Sequence, residues 1–458
     1  MPRKLARVFG WSVLCVVGIA TLLYLIALVI NWRDQPPSAA TIKLHQVIEN
    51  RPAVADDDNG YAYLLGFSAP HDVDPQDVGV RRIALLQQDR HDLVAAEDNS
   101  VPASLGLREA RSPDVQALID ACKPADSNCD TALEQGRSAL SEWLSSEAVL
   151  LDRYRALLRR KDWLELIPDD PQAPLPRYAD VLDGQRLHFA SLWQLSEAGD
   201  VSAVREGLER DVAFWRRVLQ SSDLLLTKMV ATAALKHHFA FGNLVLRRLR
   251  FDEAMQAVPP GWMKPLSDDE RSMSRPMAGE LLFAESLLRD LHTPSYRHAE
   301  ESLVSRLSNT LSVPMYQPQD TINRLANENL AVAEAFAVPL DRYPAVIEQM
   351  RTRAIDAPTF PTRIYNMMGA MLADLTSLPH YEQWCVRVGD IEGMRRAALL
   401  AAELRSRSVP RAQVAEELRI SKLRNPYDDA PFGWSEKERA IVFIGLQEES
   451  LGTHAYVY

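Results

Sequence analysis

"GQRLHFASLWQLSEAGDVSAVREGLERDVAFWRRVL", residues 184–219, decides the fold class. Two apolar-periodic runs flank the pair Gly199–Asp200. In the second run Val201, Val204, Leu208, Val212, Trp215 and Leu219 recur every three or four residues, the spacing of one face of an α-helix. Glycine closes a helix without steric cost, and an aspartate after it can accept an orphaned N–H of the next helix. The stretch predicts a helical hairpin.

A similar construction stands near the other end. "YEQWCVRVGDIEGMRRAALLAAELRSR", residues 381–407, holds a second Gly-Asp pair, Gly389–Asp390. A tryptophan precedes each pair, Trp193 and Trp384, so a second hairpin turning at Gly389–Asp390 is expected. Further helical periodicity follows Thr131, with Leu144, Ala148, Leu151, Tyr154 and Leu158 on one stripe of a helix running to about Ile167. Helices are also expected across "AGELLFAESLLRDLH" and, capped at Asp320 or Thr321, across "TINRLANENLAVAEAF". No regular repeat period links these copies. The expected class is mainly α: an N-terminal transmembrane helix, an irregular helical array (α-solenoid-like or a bundle), and a small C-terminal β-hairpin. Pro431–Trp434 and Ala440–Ile444, either side of a charged turn, supply the hairpin.

Composition agrees. Gly is sparse at 19 of 458 residues, hydrophobic residues make up 47%, and the net charge is −11. A chain this acidic lacks the electrostatic footprint of a nucleic-acid binder, so that partner class is excluded.

Val8–Ile30 reads "VFGWSVLCVVGIATLLYLIALVI", 23 residues without a charge. At about 1.5 Å per residue it extends roughly 35 Å, enough to cross a hydrocarbon core about 30 Å thick. Arg3, Lys4 and Arg7 precede it. The positive-inside bias therefore places residues 1–7 in the cytoplasm and everything after the span outside, as in a bacterial inner-membrane protein with a periplasmic body. A cleaved signal peptide would have a shorter apolar region ending in an A-x-A site, and "ALVINWRDQPP" offers none. The partner implied by residues 8–30 is the lipid bilayer. Residues 31–50 read as a proline-bearing tether, 51–135 as a loop-rich segment, 136–407 as the helical domain and 408–458 as the C-terminal loop and hairpin.

Cys122 and Cys129 lie in "ACKPADSNCD", with six residues between them. Zinc would need further soft ligands nearby, and a redox pair favours C-x-x-C. An oxidising compartment permits a structural disulfide, which on loop-closure entropy would contribute about 2.5 kcal/mol. Cys15 falls within the span, and Cys385 reads as a core thiol. Asp56–Asp58 suggest calcium, but Ala55 and Gly66 stand where an EF-hand loop needs acidic ligands.

No serine-hydrolase elbow, zincin, phosphate-loop or Rossmann pattern is present, so no cofactor or metal is expected. The candidate catalytic residues are His188, His237, His238, Glu280 and Glu285. His237 and His238 point about 100° apart on a helix, so at most one faces the core. Glu280 and Glu285, five apart, lie on different sides. Each has a structural reading beside the chemical one: a core histidine, or a buried acid paired with a base. His292 and His298 flank a helix end.

"AALLAAELRSRSVPRAQVAEELRISKLRNPYDDAPFGW", residues 397–434, resembles a tail of many bacterial envelope proteins, in which D/N-P-[YF]-x-G-x-P leads into a short hairpin. Asn425, Pro426, Tyr427 and Pro431 match. Asp429 holds the glycine position, and aspartate tolerates the left-handed conformation, so the turn is expected to survive. With "NGYAYLLGF", "YQPQDTINRLA" and "YNMMGAMLADLTSLPHYEQW", the chain resembles proteobacterial single-span inner-membrane proteins with a helical periplasmic domain. That family has no assigned activity, so the resemblance implies envelope location and carries over no functional residue. The functional expectation is a membrane-anchored periplasmic protein that binds a protein or envelope component, as a scaffold or an immunity-type partner. The alternatives are a periplasmic hydrolase and a lipid or small-molecule carrier.

Overall fold

A computed structural model describes residues 2–87, 111–122, 128–167, 175–290, 313–356, 364–376, 381–447 and 449–458. The principal helices are α1 (Pro2–Ile30), α2 (Ala39–Glu49), α3 (Gly60–Gly66), α4 (Arg137–Ser146), α5 (Ala148–Leu157), α6 (Tyr178–Glu197), α7 (Val201–Ser221), α8 (Leu225–Arg248), α9 (Ser274–Asp290), α10 (Pro318–Ala335), α11 (Met367–Thr376) and α12 (Tyr381–Ser406). β1 (Gly433–Ser435), β2 (Ala440–Ile444) and β3 (Thr453–Val457) form an antiparallel sheet in that order. The chain is thus mainly helical. Over Phe9–Ile30 helix α1 is long and apolar enough to cross a membrane, and none of that stretch is buried against the rest of the protein.

The hairpin at 184–219 forms as expected. Gly199 adopts φ 73°, Asp200 N–H returns to the Leu195 carbonyl at 3.1 Å, and the Asp200 side chain accepts from Ala203 N–H at 3.0 Å. The inner stripe of α7 from Val204 to Leu219 is buried.

The second Gly-Asp pair does not turn. Gly389 and Asp390 lie inside the continuous helix α12. A Cβ on Gly389 would stand 2.8 Å from Tyr427 Oη and 3.0 Å from Tyr343 Cε2, so this glycine serves a close approach. Asp390 is fully buried and accepts hydrogen bonds from Tyr427 Oη at 2.7 Å, Leu446 N at 3.1 Å and Gln447 Nε2 at 3.0 Å. It holds the C-terminal segment onto α12.

The helix expected over residues 144–167 is broken and short. Glu147 interrupts it and turns inward to Arg111, 2.5 Å away, and α5 ends at Leu157. Residues 162–164 instead pair with Asn59 and the first residue of α3: Gly60 N–H donates to Asp162 O at 2.9 Å and Asn59 Nδ2 to Leu164 O at 3.0 Å. Residues 51–135, read as loop-rich, contain helices Gly60–Gly66, Pro75–Gln87, Pro113–Ala121 and Cys129–Gln135. Cys122 and Cys129 stand at disulfide distance, with Cα atoms 4.2 Å apart. The C-terminal hairpin gains a third strand. In the turn over residues 425–430 that leads into β1, Asp429 takes φ 56°, the conformation its motif's glycine would supply.

Helix α8 is buried almost all round and packs on α6, α7 and α12. A solenoid repeat touches only its sequence neighbours. Helices α8 and α12 are far apart in the chain, so the arrangement is a bundle. A second, smaller core joins Ala40, Leu44 and Ile48 of α2 to α9, α10 and α11. The stretch read as a tether is therefore mostly structure. Ser38 caps α2, accepting from Thr41 N–H at 3.2 Å, and Asp34 accepts from Gln319 and Asp320 N–H at 2.7 and 3.0 Å, capping α10. Helix α10 begins at Pro318, one turn earlier than expected. Two of the stretches behind the family resemblance, 316–326 and 365–384, meet here at Asn31.

Candidate functional site

Asp211 lies on the apolar stripe of α7, three residues past Leu208 and four before Trp215, and is fully buried. Its carboxylate accepts from Tyr154 Oη on α5, Gln185 Nε2 on α6 (3.2 Å to Oδ2) and His238 Nδ1 on α8 (2.7 Å). Trp215 Nε1 donates to Tyr154 Oη at 2.8 Å, and Trp262 Nε1 donates to His238 Nε2 at 2.6 Å. An indole N–H only donates, so His238 Nε2 is the bare nitrogen and the ring proton sits on Nδ1, aimed at Asp211. Burial, reinforced by the Asp211 charge, pushes the Tyr154 phenol well above its usual range.

An aspartate that orients a histidine is the arrangement behind many general bases. The nitrogen that would take a substrate proton is here occupied by Trp262, and the described clefts do not reach it. The network is instead a polar clamp that ties α5, α6, α7 and α8 through one carboxylate.

His188 sits beside this layer, its ring 5.7 Å from that of Tyr154, with Nε2 3.2 Å from the Gly207 carbonyl. Burial holds its pKa below the usual range. His238 is in the core. His237 is more peripheral, and burial, then Arg186 and Lys236, pull it down to about 4. One histidine of the pair faces inward, as the helical spacing dictates.

The two glutamates are elsewhere. Glu280 Oε1 accepts Leu225 N–H at 3.1 Å, at the start of α8, and burial raises its pKa. Glu285 pairs with His45 Nε2 at 2.7 Å, tying α9 to α2. The five candidates therefore do not converge on one point.

The sequence reading also missed a second polar centre. Buried Glu165 accepts the N–H groups of Asp223 and Leu224, each at 2.8 Å, so Glu165 and Glu280 together cap the positive end of α8. Burial, then the neighbouring Asp223 charge, pushes Glu165 up to about 7. Asp223 is clasped by Arg51 at 2.5 Å and Arg275 at 2.8 Å. Lys228, one turn into α8, gives its ammonium to the carbonyls of Leu219, Glu270 and Ser272 at 2.6–2.9 Å. Burial lowers its pKa to about 7. Each of these charges is spent on backbone or on a partner charge. Among the described residues no three His, Cys, Asp or Glu side chains group to hold a metal ion.

The open surface lies at the C-terminal segment. A groove of about 360 Å³ is framed by Pro344, Tyr427, Pro431, Phe432, Val442 and Ile444. Ile444, at the end of β2, is 66% exposed. A smaller cleft of about 120 Å³ lies near the start of α12, beside Arg351, Glu382 and Arg387. None of the five candidate residues lines either.

The sheet behind the groove carries its own titration. His454 on β3 stacks on Phe443 with centroids 5.8 Å apart, and its Nε2 has no hydrogen-bond partner. Burial, then Lys236, pulls its pKa down to about 3. The unfolded chain accepts this proton near 6.5, whereas the folded chain refuses it until about 3. Its contribution to stability is present above about 6.5 and is lost as pH falls toward 3. At about 1.4 kcal/mol per pH unit, acidification from about pH 7 to about pH 4.5 is expected to cost about 2–3 kcal/mol through this residue. His454→Phe should remove that part of the slope in denaturant unfolding followed across the range; parallel slopes for both proteins would show the histidine titrates normally.

No protein-family model, curated protein or solved structure matches the chain.

Proposed function

We propose that this is a bilayer-anchored protein whose helical body lies outside the cytoplasm and acts as a binding platform for a protein of the envelope. One observation carries the reading: a broad open groove among the described residues is built mainly from proline, aromatic and aliphatic side chains, with Asn425 and Asp428 also in its lining, and carries the exposed Ile444. Exposed apolar side chains in a polar-rimmed depression suit a protein surface better than a small polar substrate. The hydrolase alternative needs ionisable groups converging in an open cleft, whereas His188, His238 and Asp211 are sealed. The carrier alternative needs an enclosed apolar cavity.

Location is supported by α1, by the basic residues ahead of it, and by a cysteine pair suited to an oxidising space. A photo-crosslinking residue in place of Ile444, in the full chain in its own membrane, tests both parts. The expected result is a discrete adduct to an extracytoplasmic protein, absent when the crosslinker replaces the exposed Val149. No adduct would overturn the binding role, and a cytosolic partner would overturn the orientation.

A further inference from the structure

We propose that the helical body rests on the bilayer surface through an apolar edge formed by Trp32, Ile364, Met367 and Met371; this rests on the anchored reading of α1. The argument begins at Asn31, the residue directly after the last apolar turn of α1. Its side-chain Nδ2 donates to the Ala27 carbonyl at 2.8 Å and to the Ile364 carbonyl at 3.2 Å. Its Oδ1 accepts from Asn366 N–H at 2.7 Å, and its own carbonyl accepts from Gln317 Nε2 at 2.6 Å. Tyr365 Oη reaches the Arg33 carbonyl at 3.1 Å. Segment 364–366 is therefore held within hydrogen-bond reach of the residue where an anchored chain would leave the hydrocarbon.

Asn366 is locked in turn. At φ 49°, fully buried, it accepts from Gln317 and Gly369 N–H and donates to Asp320 and Thr321. That fixes the start of α11, which presents Met367 and Met371, one turn apart and both exposed. With Ile364 they place three exposed apolar side chains within eight residues, and Trp32, 85% exposed, directly follows the Asn31 that bonds the Ile364 carbonyl. Four residues of helix advance about 6 Å, comparable to the headgroup zone on one side of a bilayer. Tryptophan favours that depth, and flexible methionine side chains accommodate an irregular lipid surface. The occupant this edge fits is the headgroup and upper acyl region of the same membrane that α1 enters.

The test uses the full chain in phosphatidylcholine vesicles, with an environment-sensitive fluorophore on single cysteines. Cys15 reports the span itself. Ile364→Cys, Met367→Cys and Met371→Cys, each with Cys15→Ser, report the edge. Phe251→Cys, likewise with Cys15→Ser, is the control: also exposed and apolar, it follows the far end of α8, about 35 Å from the end that Glu280 holds. The expected result is that a nitroxide at the lipid headgroup removes most emission at 364, 367 and 371 and leaves position 251 unchanged, while an acyl-chain nitroxide quenches the label on Cys15. If the Cys15 label is quenched but positions 364 and 367 behave as 251 does, the docked edge is overturned and the anchor stands. If the Cys15 label is untouched by either nitroxide, the anchor is overturned as well.

Discussion

Replacing Asp211 with alanine is expected to remove about 3–5 kcal/mol of folding stability, read from denaturant unfolding of the full chain in detergent. The reason is an asymmetry. The carboxylate is one group, but its loss strands three fully buried donors, the Tyr154 hydroxyl, the Gln185 amide and His238 Nδ1–H. Asp211→Asn should recover little, because its amide turns an N–H₂ toward groups that also donate. Tyr154→Phe removes one donor and leaves Trp215 Nε1 without its acceptor, for a smaller loss of about 1–2 kcal/mol. A loss below about 1 kcal/mol for Asp211→Ala would mean the clamp is not what joins these helices.

Asp390→Ala should act locally at first. It strands Tyr427 Oη, Leu446 N–H and Gln447 Nε2, at a cost of about 3 kcal/mol, and frees the C-terminal segment from α12. The expected signature is faster amide exchange and protease cutting across residues 427–446, with α7 and α8 protected as before. The groove shares Tyr427 and Leu446, so the Ile444 adduct should disappear too. Unchanged exchange in that segment would show that Asp390 is not what holds it to α12.

These two aspartates mark where the sequence could and could not be read. The α6–α7 hairpin was legible because a stripe, a glycine and a cap agreed within twenty residues of chain. Asp211 was not singled out, although a charge standing on that stripe announces a buried partner. The partners themselves come from three other helices and have no local trace. Gly389–Asp390 was misread for the same reason. The pair has the composition of a turn, and what keeps it helical is Tyr427, supplied by a segment well downstream. Residues 39–49 were hidden by Pro36–Pro37, although Ala40, Leu44 and Ile48 already showed helical spacing. The strand β3 was missed because His454 interrupts an otherwise apolar alternation. His292 and His298 lie outside the described residues. The five catalytic candidates were picked by residue type, and type alone could not reveal that His188, His238, Glu280 and Glu285 are each taken up by a neighbour while His237 Nδ1 is buried without a hydrogen-bond partner.

The joint at Asn31 has a mechanical consequence. A flexible linker of about twenty residues would let its cargo roam over about 25 Å, trading local abundance for reach. Three hydrogen bonds at one asparagine remove that leash. On the anchored reading, α1 and the bundle then tilt and spin as one lever, and Ile444 stays at a set height above the lipid. Any partner must offer its own site at that height, so distance from the membrane becomes part of the recognition.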